Sequence, residues 1–162
     1  MPADERRAAS DRIAASVAQL LPDAGVVALY APKSTEVETA AIAAELHRRG
    51  VRIAYPRVVT GTRVLEFAEG ELAPGAFGLL EPTGPALALD AITAFVIPGV
   101  AFDREGGRIG WGRGYYDATL AAATGLRIGL AFDCQLVERI PRDAHDIGVD
   151  LVVTETASYG RR

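Results

Sequence analysis

Short apolar runs separated by helix-forming stretches constrain this chain most. Gly25-Val26-Val27-Ala28-Leu29-Tyr30 and Ala94-Phe95-Val96-Ile97 are short apolar runs of the kind buried in parallel sheets, and Val51 to Tyr55, Leu126 to Phe132 and Leu151 to Thr154 read as further strands. Such runs fit strands covered on both faces. Ile13, Val17, Leu20 and Leu21 recur at helical spacing in an alanine-rich stretch, which predicts an amphipathic helix from about residue 4 to 21, ending before Pro22. Thr35 with Glu38 reads as a capping box opening a second helix that runs to His47-Arg48-Arg49 and stops at Gly50. Arg63 to Phe67 alternates like an edge or hairpin strand, residues 70 to 89 read mostly as loop, and a third helix is expected near Tyr115 to Ala123. The pattern predicts one α/β domain over residues 1–162, with a mostly parallel central sheet flanked by helices and ligands at the carboxyl ends of its strands.

The segment Arg108-Ile109-Gly110-Trp111-Gly112-Arg113-Gly114-Tyr115-Tyr116-Asp117 stands apart from this pattern. Five of the 17 glycines fall between Gly106 and Gly114, and glycine loses the most conformational entropy on folding. Concentrating it between arginines and aromatics reads as a close approach of backbone to a ligand: a phosphate cradle with a carboxylate metal ligand beside it. A net charge of −4 and a pI near 5.2 argue against a nucleic-acid partner, so an anion must be captured by a local pocket. The segment is neither a Walker A loop nor a dinucleotide fingerprint.

Cys134 is the only cysteine, so no internal disulfide can form, and it reads as a small buried hydrophobe. The polar N-terminus has no signal core and no apolar run is long enough to cross a bilayer, so the expectation is a cytoplasmic protein with no membrane partner. His47 reads as a helix C-terminal cation and His145 as a surface residue.

Pro98-Gly99-Val100-Ala101-Phe102-Asp103, then Gly107-Arg108-Ile109-Gly110, then Gly112-Arg113-Gly114-Tyr115-Tyr116-Asp117 resembles the signature of the 5-formyltetrahydrofolate cyclo-ligase family, also called 5,10-methenyltetrahydrofolate synthetase. Tyr30 with Glu36-Val37-Glu38-Thr39, Phe77-Gly78 with Glu81-Pro82, and Asp146 with Asp150 and Val153-Thr154-Glu155 extend the resemblance over nearly the whole chain. It implies a NagB/RpiA/CoA-transferase-like α/β fold. It also implies a ligase that uses ATP and Mg²⁺ to convert 5-formyltetrahydrofolate to 5,10-methenyltetrahydrofolate, releasing ADP and phosphate.

By position, the resemblance implies that Arg108, Ile109, Gly110, Trp111, Gly112, Arg113, Gly114, Tyr115 and Tyr116 hold ATP, with Arg108, Arg113 and Tyr115 carrying the chemistry. Ala31, Glu36, Trp111, Gly112, Arg113, Gly114 and Tyr115 would face the folate, Glu36 contacting its pteridine ring, and Asp117 and Asp146 would hold Mg²⁺. Of the adjacent tyrosines, Tyr115 is favoured for the site and Tyr116 for the core. A monomer is favoured.

The chain departs from the family at its start. The resemblance calls for an N-terminal lysine and, four residues later, an arginine on the ATP phosphates, whereas Asp4-Glu5-Arg6-Arg7 matches the region after that lysine and Lys33 is the only lysine. Either the true start lies upstream, part of the ATP clamp is lost, or other cations substitute, with Arg6, Arg7 and Lys33 as candidates. The absent lysine motivates a second reading, a non-catalytic folate- or nucleotide-binding relative. A sugar-phosphate isomerase on a similar scaffold is a third, though its proton-transfer residues are not evident.

Overall fold

The structure, a computed structural model, describes residues 1–33, 35–75, 78–112 and 114–160. The apolar runs form the parallel core of a sheet: β1 (Val26–Ala28), β2 (Arg52–Val58), β7 (Ile92–Ile97), β10 (Leu126–Leu130) and β11 (Leu151–Val153). Antiparallel strands extend both edges, β12 (Ser158–Gly160) on one and β3 (Leu65–Ala68) with β6 (Ala86–Leu87) on the other. The order across the sheet is β12-β11-β10-β7-β1-β2-β3-β6.

Strand alternation divides the core. Val27, Leu29, Val96, Ile128, Leu130 and Val153 pack under Ile13 and Val17 of α1 (Ala3–Ala18) and Ile42 and Leu46 of α2 (Ala40–Arg48). Val26, Ala28, Phe95, Ile97 and Val152 face the other way, toward Phe102 and toward Leu120 of α3 (Tyr115–Leu120). Each such side chain contributes about 1.5–3 kcal/mol on burial, most of it offset by chain entropy. Among the described residues, no helix is long and apolar enough to cross a membrane.

Several local expectations are corrected. The second helix starts at Ala40, with Thr39 and not Thr35 at its N-cap, because Thr39 and Glu36 take other partners in the preceding loop. Residues 70 to 89, read as mostly loop, also contain short strands besides β6. They hold β4 (Leu72–Pro74) and β5 (Leu80–Pro82), an antiparallel pair too short and too proline-rich to show a period-two pattern. Cys134 is exposed, since it lies on a one-turn 3-10 helix (Asp133–Gln135) after β10 and not in the strand. Gly50, with φ of +75°, does end the second helix as read.

The hairpin of β8 (Ala101–Phe102) and β9 (Arg108–Ile109) positions the glycine segment. Phe102 lies fully buried on the sheet against two glycines: a Cβ on Gly129 would stand 2.4 Å from the ring, and one on Gly99 2.8 Å. In the turn, buried Asp103 accepts hydrogen bonds from Glu105 N (3.0 Å), Gly107 N (2.7 Å) and Ile140 N (2.9 Å). Gly106 adopts φ of +89°, and a Cβ there would lie 2.1 Å from Val149 O; one on Gly107 would lie 2.4 Å from Asp103 Oδ2. Gly106 and Gly107 therefore serve this turn, with both N–H groups bonded to Asp103.

Burial pushes the Asp103 carboxyl up, but the three backbone donors and Arg142 outweigh it and hold the group below the ordinary carboxylate range. A lowered folded pKa means stability that is full above the unfolded value, about 3.9, and lost as pH falls through the folded value. Asp103→Asn is expected to cost about 1–3 kcal/mol at neutral pH by leaving a backbone donor unpaired. In urea unfolding the gap between variant and wild type should narrow at about pH 3; a gap that persists there would contradict an ionised Asp103.

Candidate functional site

Two loops leave the carboxyl ends of the adjacent parallel strands β1 and β7 and diverge. The first leads through α2 to β2, the second through β8, β9 and α3 to β10, on the opposite side of the sheet. A crevice opens where the chain direction switches, the usual ligand position in such sheets.

The first loop is tied at its base. Tyr30 Oη donates to Val37 O at 2.8 Å and Thr39 Oγ1 donates to Tyr30 O at 2.8 Å. The tie turns Glu36 inward, to 6% exposure, where Oε1 accepts from Lys33 N at 2.7 Å. Oε2 accepts from the indole Nε1 of Trp111, on the second loop, at 3.0 Å. Lys33 Nζ lies 5.0 Å from the centre of the same indole. Glu36 thus joins the crevice's two walls.

On the second loop, the Arg108 side chain is buried, 7% exposed. Its Nε donates to Pro98 O at 2.8 Å, its guanidinium covers the Tyr116 ring at 5.1 Å, and Nη1 is 3.9 Å from Asp117 Oδ1. Burial lowers its affinity for the proton, against the opposing pull of Tyr116, Asp117 and Glu36. A Cβ on Gly110 would stand 2.8 Å from Nη2, so glycine is needed for the guanidinium to lie along the backbone. Gly112 and Gly114 have φ of +86° and +71°, and a Cβ on Gly112 would meet nothing within 4 Å. A Cβ on Gly114 would meet Arg63 Nη1 at 3.8 Å. The buried Tyr116 hydroxyl has no hydrogen-bond partner among the described residues, and burial raises its pKa despite Arg108 beside it.

Asp117, in the first turn of α3, accepts Ile147 N on Oδ1 at 3.1 Å, and Asp146 accepts Asp143 N on Oδ2 at 3.0 Å. Among the described residues, no hydrogen bond engages the second oxygen of either. None of these residues forms a group of three or more His, Cys, Asp or Glu able to hold a metal alone. Two carboxylates with free oxygens suit a hard cation that completes its shell with water and ligand oxygens.

These groups share one cleft of about 460 Å³. It collects every expected site residue that the structure describes: Ala31, Glu36, Arg108, Ile109, Gly110, Trp111, Gly112, Gly114, Tyr115, Tyr116, Asp117 and Asp146. Arg113 lies outside the described residues, as do Ser34 and Phe77. Tyr116, expected in the core, lines the cleft beside Tyr115 while its ring packs inward. Of the substitute cations, Lys33 lines the cleft, whereas Arg6 and Arg7 sit on α1 away from it. Asp150 is structural, accepting Arg127 N at 2.8 Å.

Sequence reasoning missed a third wall, made by Arg57 and Val58 of β2 and Leu80 and Glu81 of β5. Arg57 pins it by donating to Glu66, Pro82 O and Gly84 O, and Glu81 accepts Val58 N at 2.7 Å. The Glu81-Pro82 motif was its only sequence signal.

The profile of the 5-formyltetrahydrofolate cyclo-ligase family matches residues 1–155. The 5-formyltetrahydrofolate cyclo-ligase of Mycolicibacterium smegmatis is 32% identical over 140 residues, covering 79% of this chain and 72% of that protein. That of Escherichia coli K12 is also 32% identical, over 142 residues, covering 81% and 78%. The solved structure of 5,10-methenyltetrahydrofolate synthetase from Aquifex aeolicus superposes with a TM-score of 0.84 at 34% identity, covering 100% of this chain and 86% of that one.

Trp111 is the single tryptophan and is half exposed, so it reports directly on the bond between the walls. Glu36→Ala is expected to shift its emission to the red and make it more accessible to acrylamide. Emission and quenching identical to wild type would mean that Glu36 does not hold the indole.

Proposed function

The chain belongs to the 5-formyltetrahydrofolate cyclo-ligase family, and from that membership and the cleft we propose that it closes 5-formyltetrahydrofolate to 5,10-methenyltetrahydrofolate at the expense of ATP. The observation that carries this reading is Arg108. It is a desolvated cation whose one hydrogen bond among the described residues goes to a neutral carbonyl and whose nearest carboxylate is 3.9 Å away. A buried charge so weakly matched is costly until an anion arrives, and a phosphate chain supplies it.

The reaction transfers the γ-phosphoryl group of ATP to the formyl oxygen, giving ADP. N10 then attacks the activated formyl carbon and gives up its proton, and the C–O bond breaks to release phosphate. Neither step requires a covalent bond to the protein, so positioning and electrostatic stabilisation do the work. In our reading Arg108 and the bare backbone from Gly110 to Gly114 hold the phosphates, with Arg113 assigned there by its place in the signature. Glu36 accepts hydrogen bonds from the pteridine's amino and ring N–H groups, as a carboxylate can. Ala31 lies against the folate, and Tyr115 orders the two substrates from the start of α3. Asp117 and Asp146 would hold Mg²⁺ through their free oxygens, the ion supplying charge neutralisation on the phosphates.

The direct test is the rise in methenyl-folate absorbance on adding Mg·ATP and 5-formyltetrahydrofolate to the purified chain; none would refute the reading. Arg108→Met, which keeps the aliphatic packing, is expected to lower kcat/KM for ATP by about 10²–10³-fold with little change in Tm. Asp117→Asn should strongly reduce turnover and raise the Mg²⁺ concentration needed for half-maximal rate, again with the thermal transition nearly unchanged. Wild-type Mg²⁺ dependence in Asp117→Asn would remove the metal assignment.

A further inference from the structure

Resting on the reading of Glu36 as the pteridine acceptor, we propose that Trp111 is a positioning residue for substrate selection, acting through its indole N–H on the Glu36 carboxylate. Among the described residues Glu36 has two protein donors, one for each oxygen: Lys33 N to Oε1 at 2.7 Å and Trp111 Nε1 to Oε2 at 3.0 Å. A carboxylate has about four lone-pair sites. With one taken on each oxygen from the protein side, each oxygen keeps one for the cleft. That pair of acceptors suits two neighbouring N–H donors on the edge of a planar heterocycle, such as the amino and ring N–H groups of a pterin.

Lys33 N comes from the same tied loop as Glu36 and fixes only one end of the carboxylate. Without a second donor the group is free to turn about its terminal torsion, whose preference is broad and two-fold. Trp111 supplies that second donor from across the cleft. The indole is itself steadied by the Lys33 ammonium 5.0 Å from the ring, a contact of the cation–π kind. Half of the residue is exposed, so core packing does not account for an aromatic side chain here. Gly110 and Gly112 flank it and add no side chain that could brace the ring.

The test is a double-mutant cycle of Trp111→Phe, which keeps a ring but removes the donor, with Glu36→Gln. Initial rates are read against each substrate, with calorimetric affinity for 5-formyltetrahydrofolate alongside. Trp111→Phe is expected to raise KM and Kd for 5-formyltetrahydrofolate about tenfold, to leave KM for ATP within about twofold, and to keep Tm. In the Glu36→Gln background the same substitution should add little, because the group it positions has gone. An undiminished effect in that background would mean that Trp111 contacts the folate directly, overturning the proposal. So would a selective rise in KM for ATP, or wild-type values in Trp111→Phe. Failure of the underlying reading is distinguishable: Glu36→Gln alone would then leave affinity for 5-formyltetrahydrofolate unchanged, and the proposal would fall with it.

Discussion

The docking of the β8–β9 hairpin onto the sheet is the constraint on which the rest of the site depends. Phe102 anchors it in the space left by Gly99 and Gly129, and Asp103 closes the turn on Glu105 N and Gly107 N and ties it to Ile140 N. Arg108 leaves this hairpin already committed to a buried path along Pro98 O and the face of Tyr116. α3 follows within a few residues and carries Asp117 to the same place. A burial that has nothing to do with ligands thus fixes the position of the cation on which the phosphate reading rests.

The parallel sheet was legible because uniform apolar runs have few other uses, and Gly50 marked a helix end through its left-handed backbone. The start of that helix was not legible. Thr35 and Glu38 satisfy a capping pattern, but Thr39 bonds Tyr30 O and Glu36 is drawn to Lys33 N and Trp111, partners whose proximity exists only after folding. The glycine segment was read as one device and is two. Gly106 and Gly107 fit a turn against Val149 and Asp103, while Gly110, Gly112 and Gly114 serve the cleft. Spacing alone does not separate a glycine that clears the chain's own backbone from one that clears room for a ligand. The wall of Arg57, Leu80 and Glu81 depends on contacts between β2 and β5 that no local pattern encodes.

The chain is acidic overall, yet the ligand read into its cleft is a polyanion. The two facts agree because the effect of net charge is screened over a Debye length, whereas the Arg108 side chain is itself buried, where a charge is screened far less. Net charge governs solubility and nonspecific encounters, not the capture of phosphate at a desolvated guanidinium.

The tie between Tyr30, Val37 and Thr39 closes the first loop without using Glu36. The path of the loop and the direction of its acceptor are thus set by different bonds, the first by the tie at the base and the second by Lys33 N and Trp111 Nε1 on the Glu36 carboxylate. On the proposed reading, a change of side chain at position 36 would alter which heterocycle the cleft prefers while the base of the loop stays tied.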